Sequence, residues 1–136
     1  MVDGETVFIR FICGEIDESS HVAAGLFCAA SELWDSGELP DYEVDAIAEV
    51  EHWFNAHMKA PFDYLPEHPR YDRSICWFKS AAREHLAHAW EMVTILERNG
   101  VFIWTVKSLR PGHVHYEDDV QVFAQPYPEV RLLLKR

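Results

Sequence analysis

The span from Ser74 to Lys107 places the strongest constraint on the fold. Ser74-Ile75-Cys76-Trp77-Phe78-Lys79 has the β-branched and aromatic content of a strand. Ser80 then offers a helix cap, and Asn99-Gly100 gives the matching stop signal. Between them Ala82, Leu86, Ala89, Val93 and Leu96 form one helical stripe, with Ala81, His85, His88, Met92 and Ile95 as its neighbour. Arg83, Glu84, Glu91, Thr94 and Arg98 take the opposite arc. So broad an apolar face suits a helix lying on a sheet. Val101 to Lys107 supplies the second strand, and a strand, helix, strand order predicts a right-handed parallel crossover.

Downstream, Pro111-Gly112 turns the chain, and His113 to Tyr116 with Val120 to Gln125 reads as a hairpin. A three-residue loop at Glu117, Asp118 and Asp119 sets Tyr116 opposite Val120 and Val114 opposite Val122, which collects four apolar residues on one side. Beyond Pro126 and Pro128, Val130 to Lys135 is expected to form a last strand.

Upstream, Thr6 to Ile12 predicts a strand, broken by Gly14 to Ser20, where Ser19 or Ser20 can cap a helix. That helix is expected over Val22 to Trp34, with little bulk at Ala23-Ala24-Gly25, so that another element can approach closely. After Gly37 and Pro40, a second helix is expected over Asp41 to Met58. Val44, Ile47, Val50 with Glu51, Phe54 and Met58 mark its apolar side; Asp41, Asp45, Glu49 and His52 mark the other. Lys59 to Arg73, with Pro61, Pro66 and Pro69, reads as loop. The whole predicts an α/β (or α+β) fold in one compact domain spanning 1–136. It has a mixed β-sheet with a βαβ crossover and a C-terminal hairpin, packed against helices that include an N-terminal pair.

Charge divides this chain. Residues 1–69 hold 15 Asp and Glu against two Lys and Arg, whereas residues 70–136 hold eight against ten. No Lys or Arg lies between Arg10 and Lys59, an interval with 11 carboxylates. A net charge of -11 argues against direct nucleic-acid binding by the whole surface. With 49% hydrophobic residues the composition is not that of a disordered acidic tail. No run reaches transmembrane length and no leader is apparent, so no membrane association is expected. Cys13, Cys28 and Cys76 are too few and too dispersed for a disulfide framework, which favours buried free thiols and a reducing cytoplasm.

Two candidate surfaces follow. On the second helix Asp41, Asp45 and Glu49 recur at i+4 and form a negative ridge for a basic protein partner, extended by Glu38 and Glu51. The ridge either neutralises that partner or stands in for phosphates on its nucleic-acid-binding surface; a passive solvated face is the plain alternative. The second candidate is a rim at the C-terminal ends of the crossover strands. There Lys79, Ser80, Arg83, Lys107, Arg110 and His113 are expected to converge on a small anionic ligand, with the acidic 117–119 loop at the far edge. No glycine-rich phosphate loop accompanies them, and the plain reading is a solvated sheet edge.

Catalysis and metal binding find weaker support. Ser80, His113 and Asp72 can be cast as nucleophile, base and orienter, yet no nucleophile-elbow motif fixes them. His113, His115 and Glu117, or His85 and His88 with Glu84, suggest metal ligands but lack a complete set, and the second group departs from His-Glu-x-x-His. No cofactor or metal is therefore expected. A non-catalytic acidic protein-interaction or regulatory domain is the leading reading, and an anion-binding domain, with or without enzyme activity, the second. The oligomeric state is left open.

Overall fold

The computed structural model describes residues 6–16, 23–59 and 74–133. Its elements are β1 (Phe8–Ile16), β2 (Ala23–Gly25), α1 (Leu26–Asp35), α2 (Asp41–His57), β3 (Ile75–Lys79), α3 (Arg83–Arg98), β4 (Trp104–Ser108), β5 (His113–Glu117), β6 (Gln121–Gln125) and α4 (Pro128–Leu133). The loop expected across 59–73 lies, after Lys59, outside the described residues.

β1 organises the sheet. It pairs antiparallel with β4 from Phe8↔Ser108 to Ile12↔Trp104. It also pairs antiparallel with β3 at Phe8↔Lys79 and Ile9↔Phe78, and with β2 at Ile12↔Gly25 and Ile16↔Ala23. β6 and β5 then extend the sheet beyond β3. Because β3 and β4 both run against β1, they run parallel to each other with α3 between them in sequence. The crossover is thus present, but β1 occupies the gap between its strands, so every neighbouring pair is antiparallel. A strand apolar on both faces suits this central place: Phe11 and Ile12, which point to opposite faces, are both fully buried.

Two cores result. On one face α1, α2 and α3 pack over Phe11, Cys13 and Phe78, contributing Ala30, Ile47, Phe54, Met92 and Leu96 among others. On the other, Ile12, Ile75, Trp77, Val106 and Val122 pack with Val130 of α4. Each large buried side chain contributes roughly 1.5–3 kcal/mol relative to exposure. The expected stripes of α2 and α3 supply the first core, including Val50, Ala89, Val93 and Ile95.

β1 runs on through Gly14 to Ile16 instead of breaking there, and of the three thiols expected to be buried Cys28 is exposed and Cys76 partly exposed; four further expectations need correction. The first helix begins at Leu26, not Val22, because Ala23 to Gly25 pair with β1. The low bulk there does serve close approach: a Cβ on Gly25 would lie 2.9 Å from the Arg10 guanidinium. α3 starts at Arg83 rather than Ser80, whose N–H instead donates to the Val7 carbonyl at 2.9 Å and extends the β1–β3 ladder. Its stop is as expected, with Gly100 at φ 86 and the Val101 N–H returning to the Leu96 carbonyl.

The hairpin register differs as well. A bulge between Val114 and Tyr116 sets Val114 opposite Ala124 and Tyr116 opposite Phe123. The linking residues are 118–120, organised by Asp118, whose Oδ1 accepts from the N–H groups of Val120 and Gln121. Finally, Val130 to Leu133 is helical, not a strand; Pro128 at the helix start and Glu129 in its first turn are the local reasons.

Candidate functional site

α2 carries carboxylates in two environments. Glu43, Ile47, Val50 and Phe54 share its inward side and are buried, whereas Asp41, Asp45, Glu49 and His52 face outward and are exposed. Tyr42, 71% exposed, borders the same outward arc. Among the described residues Asp41, Asp45 and Glu49 form no ion pair. Asp41, Asp45 and Glu49 are thus exposed along one side of α2.

Glu43 is the residue that sequence reasoning missed. Arg98 of α3 grips it with two nitrogens, Nη2 to Oε1 at 2.7 Å and Nε to Oε2 at 3.3 Å, and the Asn99 amide donates to Oε2 as well. The Arg98 hydrogen bond, then that of Asn99, hold the Glu43 pKa below its ordinary value against the opposing effect of burial. A signal existed: Glu43 is in helical phase with Ile47, Val50 and Phe54, so a carboxylate there had to find a partner.

The C-terminal part of α2 meets α3 through an aromatic cluster. Trp53 lies between the rings of His57 and His88, with centroid separations of 4.3 and 3.9 Å. His85 donates from Nε2 to the His57 carbonyl at 2.8 Å. These histidines are engaged in helix packing. Among the described residues no group of three His, Cys, Asp or Glu side chains is arranged to hold a metal ion.

The six rim residues are not all brought together. Lys79, Ser80, Arg83 and Lys107 lie toward the end of the sheet where β3 and β4 finish. His113 pairs with Gln125, at the opposite end of β6, and the Arg110 guanidinium sits over the Tyr127 ring at 5.1 Å. Since β6 runs against β3, the hairpin loop returns to the Lys79 end, so the acidic loop is near Lys79 and not at the far edge. Glu117 contacts the Lys79 ammonium at 2.5 Å, and the Lys79 N–H donates to the Val120 carbonyl.

The same topology separates Ser80 from His113, and Asp72 lies outside the described residues, which leaves no assembled triad. Burial pushes the Cys76 thiol up to about 12, and it donates to Gln121 Oε1 at 3.4 Å; such a thiol is a poor nucleophile. Gln121, fully buried, also donates from Nε2 to Asp118 Oδ2 and to the Lys59 carbonyl. Burial raises the Asp118 pKa, but hydrogen bonds from Gln121, the Val120 N–H and the Tyr116 hydroxyl outweigh it and leave the value lowered. This polar group ties the hairpin turn to the end of the α2 segment.

Comparison with protein-family models, curated proteins and solved structures gave no match. Among the described residues no helix is long and apolar enough to cross a membrane.

Proposed function

We propose that this α/β domain is a non-catalytic interaction module, acting as one compact regulatory unit in the cytoplasm, that engages a basic protein through the outer face of α2. The observation that carries the reading is the exposure of Asp41, Asp45 and Glu49 along one helical arc while Glu43, on the same helix, is consumed by Arg98. Carboxylates four residues apart recur about every 6 Å along the axis, so three of them meet an extended basic surface rather than a single cation. Opposed potentials speed encounter and fix orientation. In the finer version of this reading, the carboxylates take the place of phosphates on the partner's nucleic-acid-binding surface.

A labelled Lys/Arg-rich peptide, titrated by fluorescence anisotropy, tests the face. Joint reversal with D41K, D45K and E49K is expected to weaken binding at least tenfold, about 1.4 kcal/mol, in a domain that still folds. Unchanged affinity in the folded variant rejects the ridge. The anion-binding alternative keeps Lys79, Ser80, Arg83 and Lys107 as its donors, but Glu117 competes for Lys79, and Arg110 and His113 lie elsewhere. The same assay with inorganic phosphate separates the two.

A further inference from the structure

Among the described strands with a neighbour on one side only, β4 and β5 differ in how they face solvent. β5 is interrupted by its bulge and carries Glu117 against Lys79, features that discourage further strand pairing. β4 has neither. It pairs with β1 in five consecutive steps without irregularity.

The hydrogen-bond phase of β4 follows from its neighbour. The Ser80 N–H donates to Val7, so Val7 and Ile9 turn their main-chain groups toward β3, and Phe8, Arg10 and Ile12 turn theirs toward β4. Their partners Ser108, Val106 and Trp104 are bonded inward. Thr105 and Lys107 consequently direct their main-chain N–H and C=O groups away from the sheet, and both residues are exposed.

Apolar side chains flank this edge. Trp90, 50% exposed, stands on the helical side with its ring 5.0 Å from Phe11, which is paired with Thr105. Phe102, 61% exposed, packs on Trp104 at 4.7 Å, and Leu109 beyond the strand is 53% exposed. Residues 98–116 contain no carboxylate in a chain with 23, so β4 itself brings no acid to the edge; the exposed Glu91, next to Trp90 on α3, is a nearby acid on the helical side.

We infer that the β4 edge pairs antiparallel with β4 of a second copy about a two-fold axis at Val106. In that register Thr105 exchanges hydrogen bonds with Lys107 of the other copy, and each lysine lies opposite a threonine. Shifting the axis to Lys107 puts the two lysines opposite each other, which is unfavourable. The edge is therefore self-complementary in its backbone, and this register keeps like charges from facing each other, as an isologous interface requires. The pairing would join two sheets and set two acidic α2 faces on one assembly.

Sedimentation equilibrium of the full chain tests the inference. The wild type is expected at twice the 15.8 kDa of one chain. Thr105→Pro removes an N–H that points away from β1, so its own sheet is retained and the mass should fall to that of one chain with unchanged circular dichroism. A wild type that stays monomeric at all attainable concentrations overturns the inference, including when an added extended peptide binds the edge. A dimer surviving in the folded Thr105→Pro variant overturns it too. Should that variant not fold, wild-type amide exchange decides: slowing by about tenfold or more at Thr105 and Lys107 on concentration supports pairing, and unchanged rates reject it.

Discussion

Glu43 and Asp45 are two residues apart on one helix and lead opposite lives. The first is buried and held by Arg98 and Asn99; the second is exposed beside Asp41 and Glu49. The difference shows that a tally of acidic residues mixes two kinds of group. One joins helices and contributes to folding, and the other sets the surface potential. Asp118 belongs with Glu43, since its carboxylate shapes the hairpin turn.

The contrast breaks most readily at Glu43. Glu43→Gln leaves the Arg98 guanidinium without its carboxylate, and thermal unfolding should show a larger loss of Tm than any change to the hairpin turn or to the outer face of α2. The pH dependence follows from the lowered pKa of Glu43. Its contribution is complete above the unfolded value of about 4.3 and fades as pH falls through the lower folded value. The wild type should lose stability across that acid window more steeply than Glu43→Gln; parallel acid-unfolding curves would contradict the assignment.

Asp118→Ala comes next. It removes the acceptor for two backbone N–H groups, for Tyr116 and for Gln121. Urea unfolding is expected to register a loss of about 1–3 kcal/mol. The smallest effect on stability belongs to the outer face. Replacing Asp41, Asp45 and Glu49 together by Asn, Asn and Gln should move stability by no more than about 0.5 kcal/mol per site, while peptide binding weakens. A large destabilisation would place these carboxylates in the folding class and erase the contrast.

Much of the architecture was legible because it rests on local pattern. The inward stripes of α2 and α3, the stop at Gly100 and the existence of the β5–β6 hairpin follow from periodicity and turn chemistry. What escaped depends on distant residues. Ala23 to Gly25 become strand because β1 is beside them, and the insertion of β1 between β3 and β4 has no local signature. The bulge at β5 shifts a register that alternation alone would set differently. α4 was a closer matter, since six mainly apolar residues suit either strand or helix and Pro128 offered the deciding hint. At the candidate site, the outward phase of Asp41, Asp45 and Glu49 could be read directly, but the rim could not. Its convergence assumed that the hairpin starts where β4 ends, whereas His113 starts at the other end of the sheet.

The central position of β1 also sets a timetable. Phe8 finds one partner in Lys79 and another in Ser108, so the first described strand emerges from the ribosome long before the segments that complete its ladders. At elongation rates of about 5–20 residues per second, the hundred residues from Phe8 to Ser108 take on the order of 5–20 s to follow. Throughout that interval Phe11 and Ile12 lack β4, the neighbour that completes one side of their ladder. The nascent chain must therefore keep an adhesive segment from premature association until Ser108 has been added, and slowing synthesis between residues 80 and 108 should lengthen its exposure.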